Sequence, residues 1–265
     1  MEGPGSFKDF ALKISIKPPQ NKKPVFSRPA FLLVGMMRSG SNFLERQLNL
    51  LPDLRCHGEL FNPSFIGFSH QVAGKVPGYA RDDPATRNAD EDAFVAKVDE
   101  VCDRPTIGLR LFLDHSLPMT ARLLYDPNVK KVVLSRNLLE AYISLETARE
   151  TGVWLTTEAA KVPPKPVKVD INKLVTFSLR QSLYYNDVQT VLHQTDQSYL
   201  QIDYNDIKNL GKLNEIAHFV GSAHQFKAVS EPIQKQNPGT LEERIADFPK
   251  LVDELKRRQL ARWFR

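Results

Sequence analysis

The chain has 265 residues, of which 42% are hydrophobic, enough to bury the core of one large α/β domain. No apolar run approaches the roughly 20 residues that span a bilayer, and the opening MEGPGSFKDF lacks the apolar stretch of a secretory signal. Cys56 and Cys102 are too few for a disulfide framework and have no metal-ligand spacing, so a cytoplasmic protein with reduced thiols is expected. A formal charge of +5 and a pI near 9.1 suit a polyanionic ligand, but the same charge serves solubility. It acquires meaning only if particular arginines fall at phosphate-binding positions. No RNA-recognition, zinc-finger or basic-helix signature accompanies it, so nucleic acid is not an expected partner.

Residues 1–29 are rich in Lys and Pro and read as an extended N-terminal arm, followed by a single domain over 30–265. The run Phe31-Leu32-Leu33-Val34-Gly35 has the form of a buried parallel strand closed by a glycine. Phe43, Leu44, Gln47, Leu48 and Leu51 then recur at helical spacing until Pro52. Further strands are predicted over 107–114, 131–135 and 199–204. A helix is predicted over 137–149, with a capping box of Asn137 and Glu140 and Gly152 beyond its end. A longer amphipathic helix is predicted over 172–194 through Leu174, Phe177, Tyr184, Val188 and Leu192. The proline-rich stretch 161–168 reads as a mobile loop, and 60–95 shows no pattern beyond loop. Strands alternating with helices predict a three-layer α/β/α fold on a mostly parallel central sheet.

The segment 35–42 (GMMRSGSN) joins the first strand to the first helix, where backbone N–H groups and the helix dipole favour an anion. Against the nucleotide-binding P-loop pattern, Gly35 and Gly40 match, but Ser41 stands where Lys is required and Asn42 where the Mg²⁺-binding hydroxyl belongs. Without those parts the loop is suited to a phosphate held without Mg²⁺, and no metal is expected. Arg38 supplies the cation, its guanidinium able to bridge two oxygens and to neutralise developing charge. As an isolated feature, RSGSN is equally a polar βα turn.

The stretch RSGSNFL from Arg38 resembles the 5′-phosphosulfate loop of sulfotransferases that use 3′-phosphoadenosine 5′-phosphosulfate (PAPS). The likeness is to their bacterial carbohydrate branch, of the trehalose 2-sulfotransferase and Nod-factor sulfotransferase type; the hormone-type enzymes carry Lys at the place of Arg38. A second block, KVVLSRNLLEAYIS from Lys131 to Ser144 and on to Trp154, is similar to the family's 3′-phosphate-binding strand and helix. There the resemblance gives that phosphate to Arg136 and Ser144, eight residues apart and therefore close to two helical turns. It also gives donor contacts to Arg38, Ser39, Gly40, Ser41 and Asn42, and places Lys235 and Gln236 on a C-terminal loop over the nucleotide. Gly58-Glu59 resembles the segment after the first helix of this branch, and Gly108-Leu109-Arg110 a Gly-x-Lys strand with Arg in place of Lys. The likeness covers about 31–245, and only its first two blocks are highly specific.

Such a resemblance implies sulfuryl transfer from PAPS to a hydroxyl acceptor of the carbohydrate class, by in-line displacement with a general base. Two candidates for the base stay open. Glu59 lies just past the first helix, as the base of the bacterial branch does; His115 follows a strand, as the base of the hormone-type enzymes does. His57 ranks third, either orienting Glu59 or incidental to it, and Trp154 is expected to pack the helix exit, with stacking on adenine as the alternative. A homodimer is compatible with the family. The competing readings are a P-loop-type nucleotide kinase and a non-catalytic nucleotide-binding relative.

Overall fold

The computed structural model describes residues 16–21, 23–154, 165–230 and 239–260. In chain order the elements are β1 (Ala30–Val34), α1 (Ser41–Leu48), β2 (Leu54–Cys56), α2 (Pro84–Ala89), α3 (Glu91–Val101), β3 (Thr106–Leu111), α4 (Leu117–Tyr125) and β4 (Val129–Ser135). There follow α5 (Leu138–Thr151), β5 (Val167–Lys168), α6 (Ile171–Gln194), β6 (Tyr199–Asp203), α7 (Leu210–Phe219), α8 (Leu241–Arg244), β7 (Ile245–Ala246) and α9 (Phe248–Arg257).

All five residues of β1 are buried, because this strand is covered on both faces and flanked by strands on both sides. The main sheet has the order β2-β3-β1-β4-β6, and every neighbouring pair is parallel. Successive side chains point to opposite faces. Leu32 and Val34 therefore enter one core with residues of α3, α4 and α6, such as Phe94, Leu123 and Tyr184. Phe31 and Leu33 enter a second core with Leu44 and Leu48 of α1 and Leu213 and Ile216 of α7. This is the expected three-layer arrangement. A smaller third core joins Leu139, Tyr142 and Ile143 of α5 to Leu174, Ile245, Leu251 and Leu255.

Chain connections run from β1 outward to β2 and β3 on one side, then to β4 and β6 on the other. In a parallel α/β sheet, the point where the order reverses leaves a crevice at the carboxyl ends of the strands. The loops after β1, β2, β3 and β4 all open there.

Part of the predicted arm is described, and it lies on the domain. Ile16, Val25 and Phe26 are buried in the first core, while Arg28 Nε meets Asp99 Oδ1 of α3 at 2.6 Å. Among the described residues no helix is long and apolar enough to cross a membrane.

Several expectations are corrected. The segment 60–95 is not all loop, since α2 and the start of α3 lie within it, each opened by an aspartate whose side chain caps the helix, Asp83 and Asp90. β2 went unpredicted because it has three residues, and its central Arg55 is buried through an ion pair with Asp103. β3 ends at Leu111 rather than Asp114, because a turn closes there with the His115 N–H donating to the Phe112 carbonyl at 3.2 Å. Residues 161–164 of the proline-rich stretch lie outside the described residues, and Val167–Lys168 is not loop but a short strand paired with β7. Half of the Asn137 capping box is present: the side chain accepts from the Glu140 N–H at 3.0 Å, whereas the Glu140 carboxylate faces Arg136 and Arg244.

Phe31 and Gly108 are partners in the β1–β3 register. A Cβ added at Gly108 would lie 2.2 Å from the Phe31 ring. Gly108→Ala is therefore expected to lower unfolding free energy by about 1–3 kcal/mol in urea denaturation, the cost of overpacking. Phe31→Leu in the same chain should recover part of that loss.

Candidate active site

The loop after β1 turns through two left-handed residues, Arg38 (φ 68°) and Gly40 (φ 87°). At position 40 a side chain is excluded twice over. Its φ disfavours L residues, and a Cβ would meet the Ile207 methyl at 2.5 Å and the Tyr204 ring at 2.9 Å. Gly40 caps α1 without a side-chain hydrogen bond, so the amides of the first turn face the crevice as an anion-binding end. The buried hydroxyl of Ser39 and the buried Nε of Arg136 have no hydrogen-bond partner among the described residues. Unsatisfied polar atoms at this point are what an oxyanion would satisfy. Ser41 and Asn42 open α1 and line the same crevice.

Arg38 meets Arg136 and Ser144, about 100 residues further along the chain, at this point. Arg136 Nη1 donates to the Arg38 carbonyl at 2.5 Å. Arg38 Nε donates to Ser144 Oγ at 2.9 Å, and its Nη1 donates to the Trp154 carbonyl at 2.7 Å. The guanidinium of Arg136 stacks over Tyr204 at 3.8 Å and meets Glu140 at 3.3 Å. Burial, then the neighbouring Arg136 charge, hold the Arg38 pKa below its usual value. Arg244 of α8 approaches Glu140 at 3.8 Å, and burial likewise holds its pKa down. Arg244 carried no signal in the sequence, because an arginine on a four-residue helix far along the chain belongs to no local pattern.

A second wall faces this one across a cleft of about 1150 Å³. Glu59, on the loop after β2, places Oε1 3.4 Å from Arg110 Nη1 and Oε2 3.5 Å from His115 Nε2. Asn62 Nδ2 donates to Glu59 Oε2 at 2.7 Å. Burial pushes the Glu59 carboxyl up, but the His115 contact, the Arg110 charge and the Asn62 hydrogen bond together hold it below its ordinary value. The sequence left Glu59 and His115 as rivals; the fold sets them side by side. His115 Nδ1 accepts from the Phe112 N–H at 3.3 Å, which leaves Nε2 to carry the proton of the neutral ring and present it to Glu59.

Glu45 is the residue that sequence reasoning missed. It sits one turn beyond Ser41 on the same face of α1, with Oε2 2.8 Å from Arg110 Nε. Burial pushes its carboxyl up, and Arg110 draws it partly back.

Trp154 does not pack the helix exit: its side chain is 49% exposed at the rim of the cleft. Lys235 and Gln236 lie outside the described residues. His57 does not orient Glu59. It is fully buried, and its Nδ1 accepts from the Ser69 N–H at 3.3 Å, tying the far side of the cleft to the end of β2. Burial, reinforced by the Arg55 charge, lowers its pKa from 6.5 to about 3. The unfolded chain thus takes up this proton near pH 6.5 and the folded chain only near 3. Stability should fall as pH drops through that window, by about 1.4 kcal/mol per pH unit for this one group, and be independent of it above the window. His57→Asn, which keeps an acceptor for the Ser69 amide, is expected to flatten the slope between about pH 6.5 and 4 in urea denaturation.

No family model matches the chain. Nodulation protein H of Rhizobium tropici is 26% identical over 231 residues, covering 83% of this chain and 87% of that protein. The crystal structure of a sulfotransferase from Alicyclobacillus acidocaldarius shares the fold, with a TM-score of 0.51 and 16% identity across 89% of this chain and 93% of that one. A mouse sulfotransferase complexed with PAP superposes more loosely, at a TM-score of 0.47 and 13% identity, over 89% of this chain and 88% of that one. Along most of both chains this protein is thus similar to Nodulation protein H, its fold is that of a solved sulfotransferase, and its two motif blocks meet at the strand ends.

Proposed function

We propose that the enzyme transfers a sulfuryl group from PAPS to a hydroxyl of a carbohydrate acceptor, with Glu59 as the general base. The observation that carries this reading is the meeting of Arg38 with Arg136 and Ser144, while Arg38 lines the same cleft as Glu59 and Arg110 and His115 stands against Glu59. Ser39, Gly40, Ser41 and Asn42 hold the 5′-phosphosulfate through the loop and the first turn of α1. Arg136 and Ser144 hold the 3′-phosphate, which draws Ser144 away from Arg38 and frees that guanidinium to face the phosphosulfate. A carbohydrate suits a cleft lined by Asn62, Ser64 and Gln71 beside Phe65 and Phe68, and it agrees with the motif's resemblance to the carbohydrate branch.

The acceptor oxygen attacks sulfur in line with the bridging oxygen. As the new S–O bond forms, the bond to the phosphate oxygen breaks, the hydroxyl proton passes to Glu59, and 3′,5′-adenosine bisphosphate leaves. Arg110 and Arg38 offset the negative charge that builds on the sulfuryl and leaving oxygens. His115 keeps its Nε2 proton on Glu59 and orients that carboxylate rather than acting as the base.

Two measurements test this. Calorimetry is expected to detect 3′,5′-adenosine bisphosphate without Mg²⁺, with Arg136→Ala weaker by about 1.5–3 kcal/mol, the value of a charged hydrogen bond. Metal-dependent ATP binding with indifference to the bisphosphate would instead support a kinase. Glu59→Gln is expected to leave bisphosphate affinity unchanged while lowering PAPS-dependent turnover by about 10²–10⁴-fold. A retained rate in that variant removes Glu59 from the role of base.

A further inference from the structure

Arg110 is enclosed where it leaves β3, and its guanidinium has two carboxylate neighbours. Glu45 lies at 2.8 Å from Nε and Glu59 at 3.4 Å from Nη1. Ser41 Oγ, on the first turn of α1, is 3.5 Å from Nη1. The floor beneath them is Gly58, where a Cβ would come within 3.0 Å of Arg110 Nη2 and 3.5 Å of Glu45 Oε2. One cation therefore serves two anions in a narrow space, and the shorter contact goes to the carboxylate on α1.

Resting on the reading of Glu59 as the base, we propose that Glu45 is a positioning residue that holds the Arg110 guanidinium on the α1 side of the cleft and keeps it from closing onto Glu59. A guanidinium with a single carboxylate neighbour adopts the two-pronged pairing that fills both oxygens. Glu59 already accepts from Asn62 and faces His115. Closure by Arg110 would engage both oxygens and stabilise the charged carboxylate, making it a weaker proton acceptor. Glu45 prevents that by charge rather than by a fixed hydrogen bond: neither Arg110 Nε nor Glu45 Oε2 has an aligned hydrogen-bond partner among the described residues. The brace is thus free to follow Arg110 as the cleft fills. It sits on α1, the helix whose first turn carries Ser41 and Asn42, so the same rigid element sets the anion cradle and the cation beside the base.

The charged and titratable groups around Glu45 are Arg110 on β3, Arg46 on α1, Glu59 on the loop after β2, and the Cys56 thiol on β2. His115 and Asp114, on the turn after β3, complete the set at the cleft. Glu45→Gln removes one of the two anions while preserving shape. Arg110 is then expected to close on Glu59, weakening it as a base.

The test is the pH dependence of turnover with PAPS and a working acceptor. Glu45→Gln is expected to move the acid limb of kcat to lower pH and to lower the plateau by about 10–100-fold, with 3′,5′-adenosine bisphosphate affinity unchanged. Glu45→Asp, which keeps the charge on a shorter stem, is expected to lie between it and the parent. In an Arg110→Lys background, where no fork can close on Glu59, Glu45→Gln should move the limb no further. A lowered plateau with an unmoved limb in both Glu45 variants, or loss of bisphosphate affinity, overturns the proposal and leaves Glu45 a structural residue. Retained turnover in Glu59→Gln overturns the reading of the base instead, whatever the Glu45 variants do.

Discussion

The hydrogen bond from the Arg136 guanidinium to the carbonyl of Arg38 ties the end of β4 to the loop after β1. Arg38 stands in the left-handed region, which costs a non-glycine residue of the order of 1–3 kcal/mol and persists only where the surroundings fix it. A charged hydrogen bond to its carbonyl and three further contacts of Arg38 and Arg136, to Ser144, Trp154 and Tyr204, supply that fixation. With the loop so held, Gly40 directs α1 away from the crevice and its first amides into it. The orientation of the loop and of the first turn of α1 follows from this single cross-strand tie.

The two walls of the cleft are built by different means. One is a strand–loop–helix unit whose chemistry lies within a few residues of chain. The other gathers Glu45 from α1, Arg110 from β3, His115 from the following turn, and Glu59 and Asn62 from the loop after β2. That loop is secured from beneath by Arg87 of α2. It is fully buried, and its Nη1 donates to the carbonyls of Leu60 at 2.7 Å and Asn62 at 2.9 Å. Buried carbonyls without such a donor would cost free energy. Within this wall the carboxyls of Glu45 and Glu59 are pushed in opposite directions, the first up by burial and the second down by its hydrogen bonds and Arg110. Paired carboxylates with diverging proton affinities are a recurring way to give two acidic groups separate tasks.

How much of this was legible depended on the range of the interaction. β1, β4 and α6 were readable because buried parallel strands are continuous apolar runs and a long amphipathic helix repeats its stripe. β2 was not, since three residues around a buried arginine carry no periodicity. α2 and α3 were passed over despite their aspartate caps, because α2 spans six residues and α3 mixes charges among Phe94, Val95 and Val98. His115 was assigned to a strand end, and only the turn at Phe112 moved it beside Glu59. The expected packing of Trp154 failed, and His57 turned to the Ser69 amide rather than to Glu59, for one reason: a side chain's direction is set by neighbours distant in sequence.

By itself, the sequence determined the layered α/β fold and the order of the two blocks containing Arg38 and Arg136. Each of these rests on local periodicity or on the chemistry of adjacent residues. Only the tertiary structure decided that Arg38 reaches Ser144, that His115 lies against Glu59, and that Glu45 and Glu59 both reach Arg110. Those are contacts between strands brought together by sheet order, and a parallel sheet joins residues whose separation along the chain leaves no mark in any local pattern.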